Sequence, residues 1–457
     1  MGAQGGTSYE RAVSTLVEAL KFGIHPSLDG IRVLLEALGR PQDAYSCVQV
    51  AGTNGKSSVT RMTAAILSAH GIRAGAYTSP HMDEYLERME IDVEVANPNL
   101  FGAAVAEALE ASVQARKGGY SEPFTEFELL TAAALWAFAE EGVDIAVLEV
   151  GMGGRWDATS VVDPAVATIT GISVDHLEHL GDTREMIAAD KAQIIKRASA
   201  PVFGPGTAGV DDVLLARAEA CDTHARAVRY KGVVSPVSEE LTIRYHVTKV
   251  PDRPCGSTHL DVRGVHASYS DLIVNAPSFQ AANAATALAT AEAALGRALD
   301  ESALRSALVG MRFPCRFELL AERPPIIVDG AHNPEAALVL ADAVREAFPL
   351  RKPILLVGIL SGKDAEGIAR ALAPVASTIV VTRSSSKRAF DPDELAHVVC
   401  RTTGIVPMVF GDVRTSLEAL IKEAKDGLVV TGSITTAAEA RRLLRDGTVA
   451  SGLLESR

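Results

Sequence analysis

The chain has 457 residues, of which 47 % are hydrophobic and 22 % charged, as in ordinary soluble globular proteins. Its net charge of −13 argues against a nucleic-acid partner, which would require a basic surface. Five scattered cysteines without CxxC spacing are typical of reduced cytoplasmic thiols rather than of disulfides or a zinc site. Residues 1–8 lack the apolar core of a signal peptide, and the apolar run 129–139 is too short to span a bilayer. We therefore expect a cytoplasmic protein without a membrane partner.

The first half of the chain alternates between short aliphatic runs and longer Ala- and Leu-rich stretches. The short runs predict strands at 47–50, 74–77, 145–150, 165–169 and 201–203. The longer stretches predict helices at 57–70, 100–116, 126–140, 184–196 and 280–295. Between the last two helices, segment 233–275 predicts a β-hairpin or meander. Such alternation predicts a mostly parallel sheet with helices on both faces and ligands at the carboxyl ends of its strands.

A second alternation begins after Pro314 and is long enough to form its own core. It predicts strands at 326–328, 354–357, 378–381 and 428–430. It predicts helices at 334–347, 365–373, 392–401, 413–425 and 437–445. We therefore predict two α/β domains, at 1–299 and 300–457, of which the second is the smaller and Rossmann-like.

The strongest local signal is a glycine-rich loop between an apolar strand and a helix, Gly52-Thr-Asn-Gly-Lys-Ser-Ser58. Glycines let the backbone turn so that its N–H groups point at phosphate oxygens, and the helix N-terminus adds positive charge. Lys56 can reach the terminal phosphates, and a hydroxyl of Ser57 or Ser58 can bind magnesium. A serine-capped glycine turn is the alternative, but the strand–loop–helix context favours nucleotide binding. The first domain is therefore predicted to be a P-loop ATPase domain, with ATP bound by Gly52, Thr53, Asn54, Gly55, Lys56, Ser57 and Ser58.

A carboxylate ends the apolar strand at 145–150. Burial of Glu149 is costly unless the charge is paired or binds a metal. An ordinary solvated strand-end glutamate is the alternative, and the phosphate loop upstream favours the metal. The glycine-rich segment 151–159 follows at the same sheet edge, where a substrate could lie.

Together these pieces resemble the folylpolyglutamate synthase/dihydrofolate synthase family of the Mur ligase superfamily. Further motifs follow in that family's order at 77–81, 124–128, 149–159, 173–176, 190–192, 283–284, 314–316, 329–333, 363–364 and 432–433. Each motif is weak alone, but the ordered set covers nearly the whole chain. Four departures stand out: Ser57 and Cys315 occupy positions where the family usually has glycine, Gln49 one where histidine is common, and Ser433-Ile-Thr-Thr436 replaces a more usual Ser-Leu/Phe-Tyr/His run. Because a positive φ is costly for cysteine, the turn at Cys315 is expected to be either conventional or strained.

The resemblance implies a ligase that uses ATP to join L-glutamate to dihydropteroate, and to folates, through an acyl phosphate. It implies two magnesium ions, with Ser58, Ser79, Glu149 and His176 as ligands. It implies that Lys191 is carbamylated and that Asn283, Arg316 and Asp329 surround the nucleotide. Phe127, Arg155 and Asp157 would contact the pterin substrate. The expected catalytic residues are Lys56, Lys191, His332 and Ser433, of which the last two would face the incoming glutamate.

Residue type alone would make Lys191 a surface lysine and His176 a structural histidine.

The main alternative function is that of another Mur-type ligase, acting on a cell-wall nucleotide precursor. Such ligases normally begin with a UDP-binding domain, and only about 45 residues precede the strand that leads into the phosphate loop. A P-loop switch without ligase chemistry would not account for the second domain. Within the family, segment 124–128 and Asp157 favour a bifunctional enzyme, which we expect to be a monomer.

Overall fold

The computed structural model describes residues 8–23, 25–174, 181–254 and 256–449. The chain forms two compact units. The first comprises Met1–His246, Asp261–Leu272 and Ala282–Val309, and the second comprises Val247–Leu260, Ile273–Ala281 and Gly310–Arg457. The predicted two-domain α/β fold is confirmed, while the domain limit at 299/300 stays a prediction. Among the described residues, no helix is both long and apolar enough to cross a membrane.

An eleven-stranded sheet, most of whose residues belong to the first unit, has the strand order β11-β10-β9-β8-β7-β6-β1-β5-β2-β3-β4. Its strands are β1 (Ser46–Ala51), β2 (Ala74–Tyr77), β3 (Met89–Ile91), β4 (Glu94–Val95), β5 (Ile145–Glu149), β6 (Val166–Gly171), β7 (Ala200–Gly206), β8 (Arg226–Tyr230), β9 (Thr242–Lys249), β10 (Thr258–Arg263) and β11 (Ser268–Val274). The strands from β2 to β9 in this order pair in parallel, and β3 and β4 are antiparallel additions. The parallel core and the meander at 233–275 agree with the prediction.

Central strand β1 is buried on both faces, which is why its sequence is almost continuously apolar. The helices of this part of the chain are α1 (Ser8–Ala19), α2 (Asp29–Ala37), α3 (Lys56–Ala69), α4 (Pro98–Lys117), α5 (Glu126–Glu140), α6 (Arg184–Lys191), α7 (Asp211–Ala220), α8 (Gln280–Leu295) and α9 (Glu301–Gly310). Helix α5 begins at a capping box, in which Thr125 and Glu128 bond each other's backbone N–H groups. Helices α1 and α2, which the sequence analysis did not predict, pack with α4 and α5 in one hydrophobic core.

The second unit contains a six-stranded sheet in the order β12-β13-β17-β14-β15-β16. Its strands are β12 (Glu318–Glu322), β13 (Pro325–Val328), β14 (Ile354–Val357), β15 (Thr378–Val381), β16 (Met408–Val409) and β17 (Leu428–Thr431). All neighbours pair in parallel except β12 and β13. The helices are α10 (Pro334–Ala347), α11 (Ala365–Leu372), α12 (Pro392–Thr403), α13 (Val413–Leu420) and α14 (Ile434–Arg445). Parallel pairing brings the carboxyl ends of β13 and β17 side by side.

Candidate active site

The phosphate loop connects β1 to α3, as predicted. Gly52 has a φ of +150° and Gly55, which caps α3, has a φ of +84°. The hydroxyl of Thr53 accepts a hydrogen bond from the Ser173 N–H at 3.0 Å, and the Thr53 N–H donates to the Gly171 carbonyl at 2.9 Å. These bonds fix the loop against the chain that follows β6. The helix N-terminus and the loop therefore form a rigid concavity suited to an anion.

Two lysines converge on one carbonyl of this loop. Lys56 Nζ donates to the Gly52 carbonyl at 3.1 Å and to the Thr53 carbonyl at 3.3 Å. Lys191, whose surface is only 4 % exposed, donates from Nζ to the same Gly52 oxygen at 3.0 Å. Lys191 is therefore not the surface lysine that residue type alone suggests. Positive charge from two elements is concentrated where a phosphate group would lie.

Substitution of Gly52 by alanine is expected to disrupt the loop. An added Cβ would lie 2.0 Å from Thr170 Oγ1, and the positive φ is itself unfavourable to alanine. We expect ADP to bind at least about tenfold more weakly to Gly52→Ala in isothermal titration. Gly71→Ala is the matched control, because Gly71 also has a positive φ but its Cβ would meet open space. That control should lose roughly 1–2 kcal/mol of stability and keep its ADP affinity. Unchanged affinity in Gly52→Ala would contradict this account of the loop.

Glu149 ends β5 beside the phosphate loop and is only 1 % exposed. Its Oε1 accepts from the Ser57 hydroxyl at 2.9 Å, and its Oε2 accepts from the Ser79 N–H at 3.0 Å. The parallel pairing of β1 with β5 and of β5 with β2 produces this convergence. Of the two candidate hydroxyls, Ser57 is the one shown in contact with the carboxylate, while Ser58 lies buried one residue further along α3. The alternative that Glu149 is an ordinary strand-end glutamate exposed to solvent is therefore wrong.

The glycine-rich segment after β5 is held by Asp157, which is 7 % exposed. Its Oδ2 accepts from the Met152 N–H at 2.9 Å, and its Oδ1 accepts from the Thr159 N–H at 3.0 Å and hydroxyl at 2.6 Å. Gln49 on β1 donates to the hydroxyls of Thr159 and Ser160 at 3.0 and 2.9 Å. Burial raises the pKa of the Asp157 carboxyl, against the lowering effect of the Thr159 hydrogen bonds. This buried polar network ties the segment to the strand that carries the phosphate loop.

The two other predicted substrate residues lie close to this segment. The Phe127 ring is half-buried, packs 6.0 Å from the Tyr77 ring and lies where a Cβ on Gly151 would be. A side chain at Gly154 would likewise meet the backbone of Asp190 and Lys191. Arg155 projects outward and is exposed. The segment is thus closely packed at Gly151 and Gly154 and leaves Arg155 accessible.

A histidine that sequence reasoning mentioned only as part of a motif lies in a buried polar cluster. His81 Nδ1 accepts from Arg88 Nε at 2.9 Å, which requires a neutral Nδ1 lone pair. Arg88 also lies 5.1 Å from the Tyr85 ring centroid and 3.3 Å from a Glu126 oxygen. Burial, and next the Arg88 charge, lower the pKa of His81 from 6.5 to about 4. No local sequence signal predicts this pairing, because it depends on how the loop after β2 folds back.

His81 is expected to make stability depend on pH. The unfolded chain binds a proton on this side chain below about pH 6.5, whereas the folded chain does so only below about pH 4. The unfolding free energy should therefore fall as pH drops from 6.5 to 4, by up to roughly 3 kcal/mol. His81→Gln retains an oxygen acceptor for Arg88 and cannot titrate, so urea unfolding should show a shallower fall. Parallel pH curves for the two proteins would show that His81 does not act this way.

In the second unit, the segment after β13 is organised by Asp329, which is buried. Its Oδ2 accepts from the Phe317 N–H and its Oδ1 from the Ala331 N–H, both at 2.8 Å. Burial raises the pKa of this carboxyl, while the nearby Arg316 guanidinium acts to lower it. Cys315 adopts a φ of +51°, so the turn is the strained alternative that the missing glycine made possible. Such a conformation costs roughly 1–2 kcal/mol in a residue with a Cβ.

The two predicted glutamate-side residues flank neighbouring strand ends. His332 follows β13, and its Nδ1 lies 2.9 Å from the Gly330 carbonyl. Ser433 follows β17, caps α14 by accepting from the Thr436 N–H at 3.1 Å, and is buried. Arg316 also lies near this turn, since a Cβ on Gly330 would be 2.4 Å from its guanidinium. The structure thus groups Arg316, Asp329, His332 and Ser433 at one edge of this sheet.

Two remaining predictions concern the first unit. Asn283, on α8, lies against the phosphate loop, since a Cβ on Gly55 would be 2.5 Å from its Oδ1. His176 lies outside the described residues. Within the described ranges, no group of three or more His, Cys, Asp or Glu side chains is arranged to hold a metal by itself.

Comparison with known proteins supports this picture. The profile of the Mur ligase middle domain matches residues 50–231, and that of the Mur ligase glutamate ligase domain matches residues 315–434. A Mycobacterium tuberculosis dihydrofolate synthase/folylpolyglutamate synthase is 35 % identical over 92 % of this chain and 90 % of its own length. The corresponding Bacillus subtilis protein is 29 % identical over 96 % of this chain and 100 % of its own length.

Solved structures agree over similar lengths. A Mycobacterium tuberculosis folylpolyglutamate synthase complexed with ADP and AMPPCP superimposes with a TM-score of 0.87 at 34 % identity, over 95 % of this chain and 99 % of its own. An Escherichia coli relative complexed with DHPP and ADP gives a TM-score of 0.84 at 28 % identity, over 98 % and 100 % of the two chains. The fold and the phosphate loop define a ligase of the Mur type. More particularly, the chain belongs to the folylpolyglutamate synthase/dihydrofolate synthase family.

Proposed function

We propose that this protein joins L-glutamate to dihydropteroate, forming dihydrofolate, and adds further glutamates to folates, at the expense of ATP. The observation that carries the proposal is the arrangement at the phosphate loop. Lys56 and Lys191 both contact the Gly52 carbonyl, and the Glu149 carboxylate faces the first turn of α3. Family membership supplies the substrate class, since relatives of similar length carry both activities in their names.

The chemistry requires that a carboxylate be activated before an amine can attack it. In the proposed reaction, the substrate carboxylate attacks the γ-phosphorus of ATP, which gives an acyl phosphate and ADP. The α-amine of glutamate then adds to the acyl carbon, and the tetrahedral intermediate releases phosphate. Phosphoryl transfer depends mainly on positioning and charge neutralisation. Lys56 and the N–H groups of residues 54–58 would provide both.

The residues around Glu149 fit magnesium. A carboxylate and serine hydroxyls are the hard oxygen ligands that this ion prefers, and it commonly binds through one or two carboxylates together with phosphates. Glu149 and the Ser57 or Ser58 hydroxyl would hold the first ion, with Ser79 and His176 as further proposed ligands. When bound, magnesium would neutralise charge on the phosphates. A second ion and a carbamate on Lys191 are part of the same proposal.

The other predicted site residues are proposed to bind the nucleotide, the pterin substrate or glutamate. Asn283, Arg316 and Asp329 would contact the nucleotide. Phe127 would pack on the pterin, Arg155 would bind a polar part of the same substrate, and Asp157 would keep segment 151–159 in shape. His332 and Ser433 would bind or orient glutamate. We further propose that the enzyme is bifunctional, monomeric and cytoplasmic.

The direct test is product analysis by mass spectrometry together with ADP release. One reaction contains ATP, magnesium, glutamate and 7,8-dihydropteroate, and a second replaces the pteroate with a reduced monoglutamyl folate. We expect dihydrofolate in the first and a diglutamyl folate in the second. A product in only one reaction would make the enzyme monofunctional. Absence of glutamate-dependent turnover in both would overturn the folate assignment and favour another carboxylate acceptor of Mur-type ligases.

A further inference from the structure

A cavity of about 610 Å³ lies in the second unit, away from its candidate site residues. The connections that lead into β13, β14 and β17 line it, together with residues 252–254. These three strands are neighbours, so the cavity lies at the amino-terminal edge of the sheet. Asp329 and Ser433 follow the carboxyl ends of β13 and β17, at the opposite edge. None of the roles proposed above uses the cavity.

The walls of this cavity are basic although the whole chain carries a net charge of −13. Its basic residues are Arg253, Arg323, Arg351, Lys422 and Lys425. Three acidic residues oppose them, and one of these, Asp426, is already paired with Arg351 at 3.1 Å. Among the described residues, the other four cations have no carboxylate within ion-pair distance. The cavity therefore offers unneutralised positive charge to a ligand.

The same cavity has an apolar surface. Phe348 contributes to its lining with Pro324 and Pro325, and Gly427 must lack a side chain because a Cβ there would lie 2.7 Å from the Phe348 ring. Leu350, at the rim, is 93 % exposed. Exposed leucines are common, but one beside unpaired arginines gives a surface that suits a flat apolar group with charged substituents. Its volume falls within the range of roughly 300–1,000 Å³ typical of small-molecule sites.

We propose that this cavity is a second ligand site, which binds a small organic anion with two or more carboxylates or phosphates on a ring-containing frame. Arginine binds carboxylate and phosphate groups through paired N–H donors, and its planar guanidinium can stack on a ring. Two classes of compound share this chemistry: folates with several glutamates and purine nucleotides. Binding at this site does not require the ligase reaction.

The test is isothermal titration of the full-length protein with a triglutamyl folate, with ADP and with inorganic pyrophosphate. We expect either the triglutamyl folate or ADP to bind at two sites per chain. Whichever of the two does so identifies the class of ligand that the cavity accepts. Pyrophosphate, which lacks a ring, should bind the cavity at least roughly tenfold more weakly. The double variant Arg323→Glu/Lys422→Glu should weaken one of the two sites by roughly tenfold or more. Arg370→Glu is the matched control, because Arg370 is an exposed arginine of the same unit outside the cavity.

The outcomes separate this proposal from the proposed function. If titration finds a single site and the double variant abolishes it, the proposal of a ligand site in the cavity is supported, even if the phosphate loop binds no ligand. A single site that the double variant leaves intact would overturn the proposal. It would also be overturned if pyrophosphate bound as tightly as the ring compounds, or if Arg370→Glu lost the second site equally. Thermal unfolding of both variants checks that the charge reversals leave the chain folded.

Discussion

Lys56→Met should reduce kcat for glutamate-dependent ADP release by at least roughly 10²–10³-fold, the loss typical when a group that stabilises developing charge is removed. In the structure, Lys56 Nζ donates to two carbonyls of its own loop, those of Gly52 and Thr53, at 3.1 and 3.3 Å. Those distances allow the ammonium to turn towards a phosphate. Methionine keeps most of the side-chain volume and removes the charge.

The loop itself should survive this change. The Gly52 carbonyl retains its bond from Lys191 Nζ at 3.0 Å, and Thr53 remains bonded to Ser173 and Gly171. Lys196→Met is the matched control: Lys196 is half-buried and donates to the carbonyls of Ser160 and Val162 at 2.7 and 2.5 Å. We expect Lys196→Met to lower the melting temperature and to keep kcat within a few-fold. Wild-type kcat in folded Lys56→Met would remove Lys56 from the mechanism.

The phosphate loop and the fold class were predictable because their signals are local. The run from β1 through Gly52 and Gly55 into α3 combines an apolar strand, glycines at positive φ and a helix start within one short segment. Helix α5 was predicted at its observed bounds from its Ala- and Leu-rich stretch, and the structure adds that Thr125 and Glu128 form the capping box at which it begins. For Glu149 the strand pattern alone left a solvated carboxylate as an alternative, and the phosphate loop upstream was the signal that favoured a buried, functional one.

Other features depend on contacts between distant parts of the chain. The contact between the Ser57 hydroxyl and Glu149 depends on the rotation of α3 relative to β5, which residue type does not reveal. The bonds of Asp157 to Met152 and Thr159 show a carboxylate used to shape its own segment, which residue type does not reveal. The positive φ of Cys315 was one of two alternatives, because a cysteine in place of glycine does not say whether the turn changed or became strained.

Lys191→Arg should also reduce kcat, by roughly 10²–10³-fold. Two ammonium groups that contact one carbonyl repel each other, and Lys191 is almost fully buried. Conversion of its amine to a carbamate would replace this repulsion by attraction to Lys56 and provide a carboxylate near the nucleotide. Arginine can still donate to the Gly52 carbonyl but cannot be carbamylated, so it separates loop support from the proposed modification.

Two measurements test whether Lys191 is carbamylated, and they do not rely on activity alone. Native mass spectrometry of the wild-type protein in bicarbonate should show the added mass of one carbon dioxide, which Lys191→Arg should lack. Removal of carbon dioxide from the buffer should lower wild-type kcat, and small carboxylic acids should restore part of the activity of Lys191→Ala by occupying the vacated volume. If Lys191→Arg were as active as the wild type and no added mass were found, Lys191 would serve only to hold the Gly52 carbonyl. In that case its buried ammonium, together with Lys56, would be the charge that receives the phosphate.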